Sequence, residues 1–138
     1  MDAGDRVESL GRLALFADLR FPELEALAHE FEEDVFRPDS RVLRQGLSGN
    51  AFYIVLEGEA SVLLEGVERR RLGRGDFFGE ISVLTGGAPS ADVRAETLLR
   101  VLVLPGPKLE PLLLAHPHVL LRMLQAQALR LRDSNKWQ

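Results

Sequence analysis

Between Gly73 and Thr97 the chain reads G-R-G-D-F-F-G-E-I-S-V-L-T-G-G-A-P-S-A-D-V-R-A-E-T. Gly73, Gly75, Gly79 and the pair Gly86-Gly87 bracket a short apolar helical segment from Glu80 to Leu84. Glycines this dense mark places where a backbone turns sharply or passes close to another group. A short helix that opens at a glycine presents main-chain N–H groups, which attract an anion. Glu80, in its first turn, offers a carboxylate that can accept a hydrogen bond from a hydroxyl. A Pro89-Ser90 turn and an alternating strand follow. The same pattern is also met by two tight β-turns flanking a connecting helix, so chemistry here depends on the rest of the chain.

Other chemistry-bearing residues give weaker signals. His116 and His118 flank Pro117, and His29 is the only other histidine. No cysteines or clustered carboxylates complete a metal set around them, so capping and solvation account for them. The acidic run Glu30, Glu32, Glu33, Asp34 reads as a solvated helix end and strand. No serine lies in a nucleophile-elbow motif, and nothing supports an enzyme. Arg69, Arg70, Arg71 and Arg74 form the one basic cluster near Glu80, and a solvated edge strand explains it. Arg122, Arg130, Arg132 and Lys136 read as complements to a helix dipole, and Trp137 as a terminal anchor.

The 138 residues are enough for one domain with a sizeable core. With no cysteine, disulfides and thiolate metal sites are excluded. A formal net charge of −4 argues against non-specific nucleic-acid binding, which needs a basic surplus. No apolar run reaches spanning length, and the N-terminus is acidic where a signal peptide is basic and then apolar. A cytoplasmic protein is the expectation.

The elements that must position Glu80 follow from periodicity. Residues 5–16 read as one helix, and a second helix starts near Pro22 and runs through Glu30. From Phe31 the period changes to two. Short apolar runs around Val35, Val42-Leu43, Phe52 to Leu56, Ala60 to Leu64 and Val67 to Leu72 alternate with turns such as Pro38-Asp39, Ser48-Gly49-Asn50 and Glu65-Gly66. Runs of this length at even spacing predict a small β-sandwich or barrel. The sheet resumes at Val93-Ala95 and Leu99-Val103, and Pro105-Gly106-Pro107 ends it. A helix is predicted over Leu109 to Ala115, and a longer one from Pro117 to Asp133. Leu121, Leu124, Ala128 and Leu131 recur in steps of three and four, the spacing of a helix-packing seam.

Taken in order, Leu15-Phe16-Ala17, Leu43-Arg44-Gln45-Gly46, Ala51 to Gly58, Gly75-Asp76-Phe77-Phe78-Gly79-Glu80 and Val93 to Thr97 resemble the cyclic nucleotide-binding domain family. That family includes catabolite activator protein and the regulatory subunits of cyclic-nucleotide-dependent kinases. The resemblance runs from about Leu15 to Leu131. It implies a mainly β fold with flanking helices: a jelly-roll-like β-roll over residues 31–104, N-terminal helices over 1–30 and C-terminal helices over 105–138. It also implies that residues 79–92 are a phosphate-binding cassette. Gly79 would then let the backbone pass close to a ribose, Glu80 would accept from the 2′-hydroxyl, and the amides of Ile81 and Ser82 would face the cyclic phosphate. The ligand implied is cyclic AMP or cyclic GMP, with no cofactor.

The cassette departs from the family where charge matters most. Anchored on Val93-Arg94-Ala95, the position of the phosphate-pairing arginine holds Pro89; a one-residue slip would place Ser90 there instead, and neither restores a cation. Ser90 keeps the hydroxyl that follows, and Asp92 stands where a neutral residue is usual. A lost Arg–phosphate pair is worth about 1.5–3 kcal/mol or more, tenfold to over a hundredfold in affinity. An Asp92 aimed at the pocket would weaken binding further, although Arg94, on the same strand face, is expected to pair with it. Arg74 is the cation expected as a rescue. Two readings follow: a regulatory module with weak or altered nucleotide binding, or a degenerate domain kept for interaction, its pocket filled by side chains or closed by the Asp92–Arg94 pair. Both allow a homodimer through residues 117–133. No helix-turn-helix follows that helix, so the chain is expected to be a standalone module or a fragment of a longer regulator.

Overall fold

A computed structural model describes residues 3–47 and 50–135. The Ser48-Gly49 part of one predicted turn, together with Lys136 and Trp137, lies outside them. Helix α1 (Ala3–Gly11) leads through a 3-10 turn (Ala14–Phe16) to α2 (Phe21–Ala28). The single helix expected over residues 5–16 is thus broken, because Leu13 takes extended backbone at φ −88°, ψ 134°. Pro22 does open α2, and the N–H of Arg20 is capped by Glu23 Oε1 at 3.0 Å.

Eight strands follow: β1 (Glu32–Phe36), β2 (Arg41–Leu43), β3 (Ala51–Glu57), β4 (Ala60–Leu64), β5 (Val67–Leu72), β6 (Phe77–Phe78), β7 (Asp92–Ala95) and β8 (Leu99–Pro105). They form two antiparallel four-stranded sheets, ordered β1-β8-β3-β6 and β2-β7-β4-β5. Helix α3 (Glu80–Thr85) lies between β6 and β7, and α4 (Leu109–Ala115) and α5 (Pro117–Asn135) close the chain. This is the mainly β roll with flanking helices that the resemblance implied.

Side-chain alternation divides the interior in two. Val55, Leu72, Phe78, Val93, Leu99 and Val101 pack between the sheets. The opposite face of the first sheet, through Phe52, Ile54, Leu102 and Leu104, packs on the helices, among them Phe16, Phe31, Leu109 and Met123. Phe16 and Phe31 meet edge to face with centroids 6.1 Å apart.

Helix α5 buries only one stripe. Val119 and Met123 are inside, whereas Leu121, Leu124 and Leu131 of the predicted seam are exposed, the last two by 62% and 63%. Asp18 holds α5 against the N-terminal helices by accepting from the Arg122 guanidinium, 3.1 Å at Nη2. No helix among the described residues is long and apolar enough to cross a membrane, and no group of metal-ligating side chains occurs among them.

Candidate ligand site

Gly79 connects β6 to α3 with φ +89°, a left-handed conformation that L side chains rarely adopt. A Cβ at this position would lie 2.4 Å from the carbonyl oxygen of Ala51 and 3.2 Å from the Tyr53 ring. The glycine therefore lets α3 leave the sheet while pressed against β3. That geometry drives Glu80 inward, and at 3% exposure it is the one buried carboxylate among the described residues.

Glu80 lines a cavity of about 170 Å³. Leu43, Val93, Val62 and Leu72 form its apolar floor on the second sheet, and Phe77 and Phe78 lie on the other side. Ile81, Ser82, Pro89, Ser90 and Ala91 close the cassette end, so the sequence-derived residues Gly79 to Ser82 and Ser90 come together around one space. The Ser82 hydroxyl donates to the Gly79 carbonyl at 3.2 Å, which tightens the first turn of α3. Pro89 is buried with its carbonyl accepting from Gly46 N–H at 3.0 Å. No cation of the described residues lines the cavity at that end.

Asp92 does not face the cavity. Val93 does, and neighbouring residues of a strand point to opposite faces. The Asp92 carboxylate accepts from the Arg41 guanidinium and from Gln45 N–H at 2.6 Å. Arg94 pairs instead with Glu96, 2.7 Å from Nε to Oε2. The expected Asp92–Arg94 pair is therefore replaced by two pairs with other partners, and like-charge repulsion of a ligand by Asp92 drops out.

Arg70 and Arg130, read from sequence as a solvated edge charge and a helix-dipole complement, converge on Glu80 together with Gln127. The side-chain amide of Gln127 donates to Glu80 Oε1, and Arg130 Nη1 lies 3.4 Å from the same oxygen. Arg130 also donates from Nη2 to the Phe77 carbonyl at 2.9 Å and sits 4.5 Å above the Phe77 ring centre. From β5, Arg70 enters the cavity wall, whereas Arg74, the cation expected from sequence, does not line it. The remaining carboxylate oxygen, Glu80 Oε2, is buried without a hydrogen-bond partner. An orphaned acceptor at this depth is costly and fits a site that receives a donor from elsewhere.

Burial pushes the Glu80 carboxyl above its ordinary value. Its own main-chain amide, Arg130, Gln127 and Arg70 pull the other way. Because the folded-state value is raised, Glu80 favours folding below its unfolded value and opposes it once pH rises past the folded one. Glu80→Gln is therefore expected to unfold at a higher temperature than the wild type at neutral pH. The gap should close as pH falls below the ordinary glutamate value, where the carboxyl is protonated in both the folded and the unfolded chain. Thermal melts of both proteins across that range check this, and a gap that widens toward acid contradicts it.

A double-sheet roll with a glycine-opened helix at its cavity and a long helix laid over it defines a β-roll ligand-binding class. The model of the cyclic nucleotide-binding domain matches residues 33–116, and the chain belongs to that family. It is similar to potassium/sodium hyperpolarization-activated cyclic nucleotide-gated channel 3 of Homo sapiens, 36% identical over 92 residues, which are 67% of this chain and 12% of the channel. Among solved structures it resembles the regulatory subunit of a cAMP-independent protein kinase A from Trypanosoma brucei at 27% identity and TM-score 0.79, over 91% of this chain and 47% of that one. A triple mutant of that subunit, bound to cAMP in the A site, matches at 30% identity and TM-score 0.77, over 96% and 52%. Thermus thermophilus catabolite activator protein matches at 28% identity and TM-score 0.76, over 88% and 59%. The chain thus spans about a tenth of the channel relatives and about half of these kinase subunits.

Proposed function

We infer that the chain is a non-enzymatic regulatory module that takes a nucleotide beside Glu80 and binds cyclic AMP weakly by the usual mode. The observation that carries this reading is the buried Glu80 with one unpartnered oxygen, in a cavity whose cassette end holds Pro89 in place of a cation. The acceptor for a ribose hydroxyl is kept while the partner of the cyclic phosphate is gone. A loss of about 1.5–3 kcal/mol accompanies the missing charged hydrogen bonds. The Trypanosoma brucei subunit that this chain resembles belongs to a cAMP-independent protein kinase A. Its triple mutant bound to cAMP includes one substitution that introduces an arginine.

In this reading the output runs through α5, because Gln127 and Arg130 touch Glu80 while the far side of the same helix carries Leu121, Leu124 and Leu131. Those leucines form the surface for a second copy, and a ligand that displaces Arg130 shifts the helix. Isothermal titration with cyclic AMP and cyclic GMP tests the nucleotide reading. Weak heats that Glu80→Ala abolishes support it, and none at saturating ligand contradicts the cyclic-nucleotide version.

The second reading, an interaction domain without a nucleotide ligand, is favoured by one specific observation. Gln127 and Arg130 already occupy one oxygen of Glu80, so the pocket is partly filled by the chain itself. Under it, sedimentation shows a dimer that Leu124→Glu dissociates, and titration shows no nucleotide binding.

A further inference from the structure

The geometry points to a ligand whose phosphate is free rather than cyclised: a nucleoside 5′-phosphate with its sugar hydroxyls on Glu80 and its phosphate on Arg70, outside the cassette. This rests on the nucleotide reading above and names the ligand class for the same site.

Val93 and Val62 are direct cross-strand partners, and so are Val62 and Arg70. Arg70 therefore stands two strand spacings from Val93, about 10 Å across the cavity floor. It cannot serve the spot that the missing cassette arginine left, at the Pro89 end. The cationic end of this cavity is the opposite one, at β5 and α5, where Arg70 and Arg130 flank Glu80.

A cavity of about 170 Å³ is below the roughly 300–1,000 Å³ of ordinary small-molecule pockets, and it holds only part of a nucleotide. At Arg70, Phe77 and Arg130 it meets a second concavity of about 1370 Å³ between β5 and α5. Arg69, Arg71 and Arg122 also line that groove, together with the carboxylates Glu68, Asp76 and Asp133. Arg71 is engaged by Glu68, and Arg122 by Asp18. Arg69 and Arg70 have no hydrogen bond or ion pair with any described residue. A ring seated on Val62 and Leu72, with a phosphate extending into the groove, uses both spaces.

A phosphate monoester carries about −1.5 to −2 charge at neutral pH and three acceptor oxygens, which matches the guanidinium of Arg70, the member of the pair that lines the cavity. A 3′,5′-cyclic phosphate has a single charge and is fused to the sugar, so it cannot reach away from the ribose. Cyclisation also consumes the 3′-hydroxyl. An acyclic nucleotide keeps both ribose hydroxyls as donors for Glu80, whose Oε2 is unpartnered.

Isothermal titration of the wild-type chain with AMP, GMP, ADP, cyclic AMP and cyclic GMP tests the assignment. The acyclic nucleotides are expected to bind more tightly than the cyclic ones, and ADP more tightly than AMP because its second phosphate extends along the groove. Arg70→Met should weaken AMP and ADP by tenfold or more. Arg74→Met, outside the cavity wall, should leave them unchanged. Melting temperatures close to wild type for both variants show that binding and not folding is being read. Tighter binding of the cyclic nucleotides, or an Arg70→Met protein that binds ADP as the wild type does, overturns the assignment while leaving the nucleotide reading standing. No binding by any of the five overturns both.

Discussion

Gly79→Ala is expected to lower the free energy of unfolding by about 3 kcal/mol or more, a fall in melting temperature of about 10 °C or more. Two costs add. Alanine at φ +89° is strained, and its Cβ would sit 2.4 Å from the Ala51 carbonyl oxygen, which is backbone and cannot rotate aside. Relief requires β3 and β6 to separate, and Tyr53 and Phe78 are paired there with their rings stacked 4.7 Å apart. Denaturant unfolding measures the loss directly. A change below about 1 kcal/mol would mean that the close approach is relieved elsewhere and that Gly79 is not what presses α3 on the sheet. The second effect is on the site: whatever protein remains folded should lose nucleotide affinity, because Glu80 follows Gly79 directly.

Pro89→Arg should tighten cyclic AMP binding by tenfold to more than a hundredfold. Pro89 already lines the cavity, and its tie to the chain is through its carbonyl, which accepts from Gly46 N–H and survives replacement. A guanidinium there would supply the cation that the family resemblance leads one to expect at this position. Asp92 does not oppose it, being held on the other strand face by Arg41 and Gln45. Titration of the variant against the wild type gives the ratio, and a gain under threefold would show that the cassette backbone no longer shapes a phosphate site. The variant should also reverse the preference for acyclic nucleotides: with a cation at each end, cyclic nucleotides should gain far more than AMP does.

The roll was legible in the sequence because strand alternation, turn residues and the order of short motifs all point the same way, and Gly79-Glu80 stood out for the same reason. Helix starts at Pro22 and Pro117 followed from proline's fixed φ and missing donor. Three things were hidden. β6 is two residues long, too short to show a period. Arg70 belongs to a run of charges on an edge strand, which reads as solvated because nothing local shows that Val62 and Val93 extend its row into a cavity. Gln127 and Arg130 are 47 and 50 residues from Glu80, so their contact depends on how α5 crosses the sheet, not on local pattern. Asp92 was misread for a related reason: its partner, Arg41, lies 51 residues away, whereas Arg94 was the near candidate.

The 19 residues of α5 make a rod about 28 Å long that touches Glu80 along one edge and leaves a leucine seam along another. Such a rod couples the two edges in a way that must be symmetric. If filling the cavity moves Arg130 and so alters self-association by some factor, then self-association alters the affinity of the cavity by the same factor. Dilution then becomes a probe of occupancy, and the strength of ligand binding a readout of how many copies are in contact.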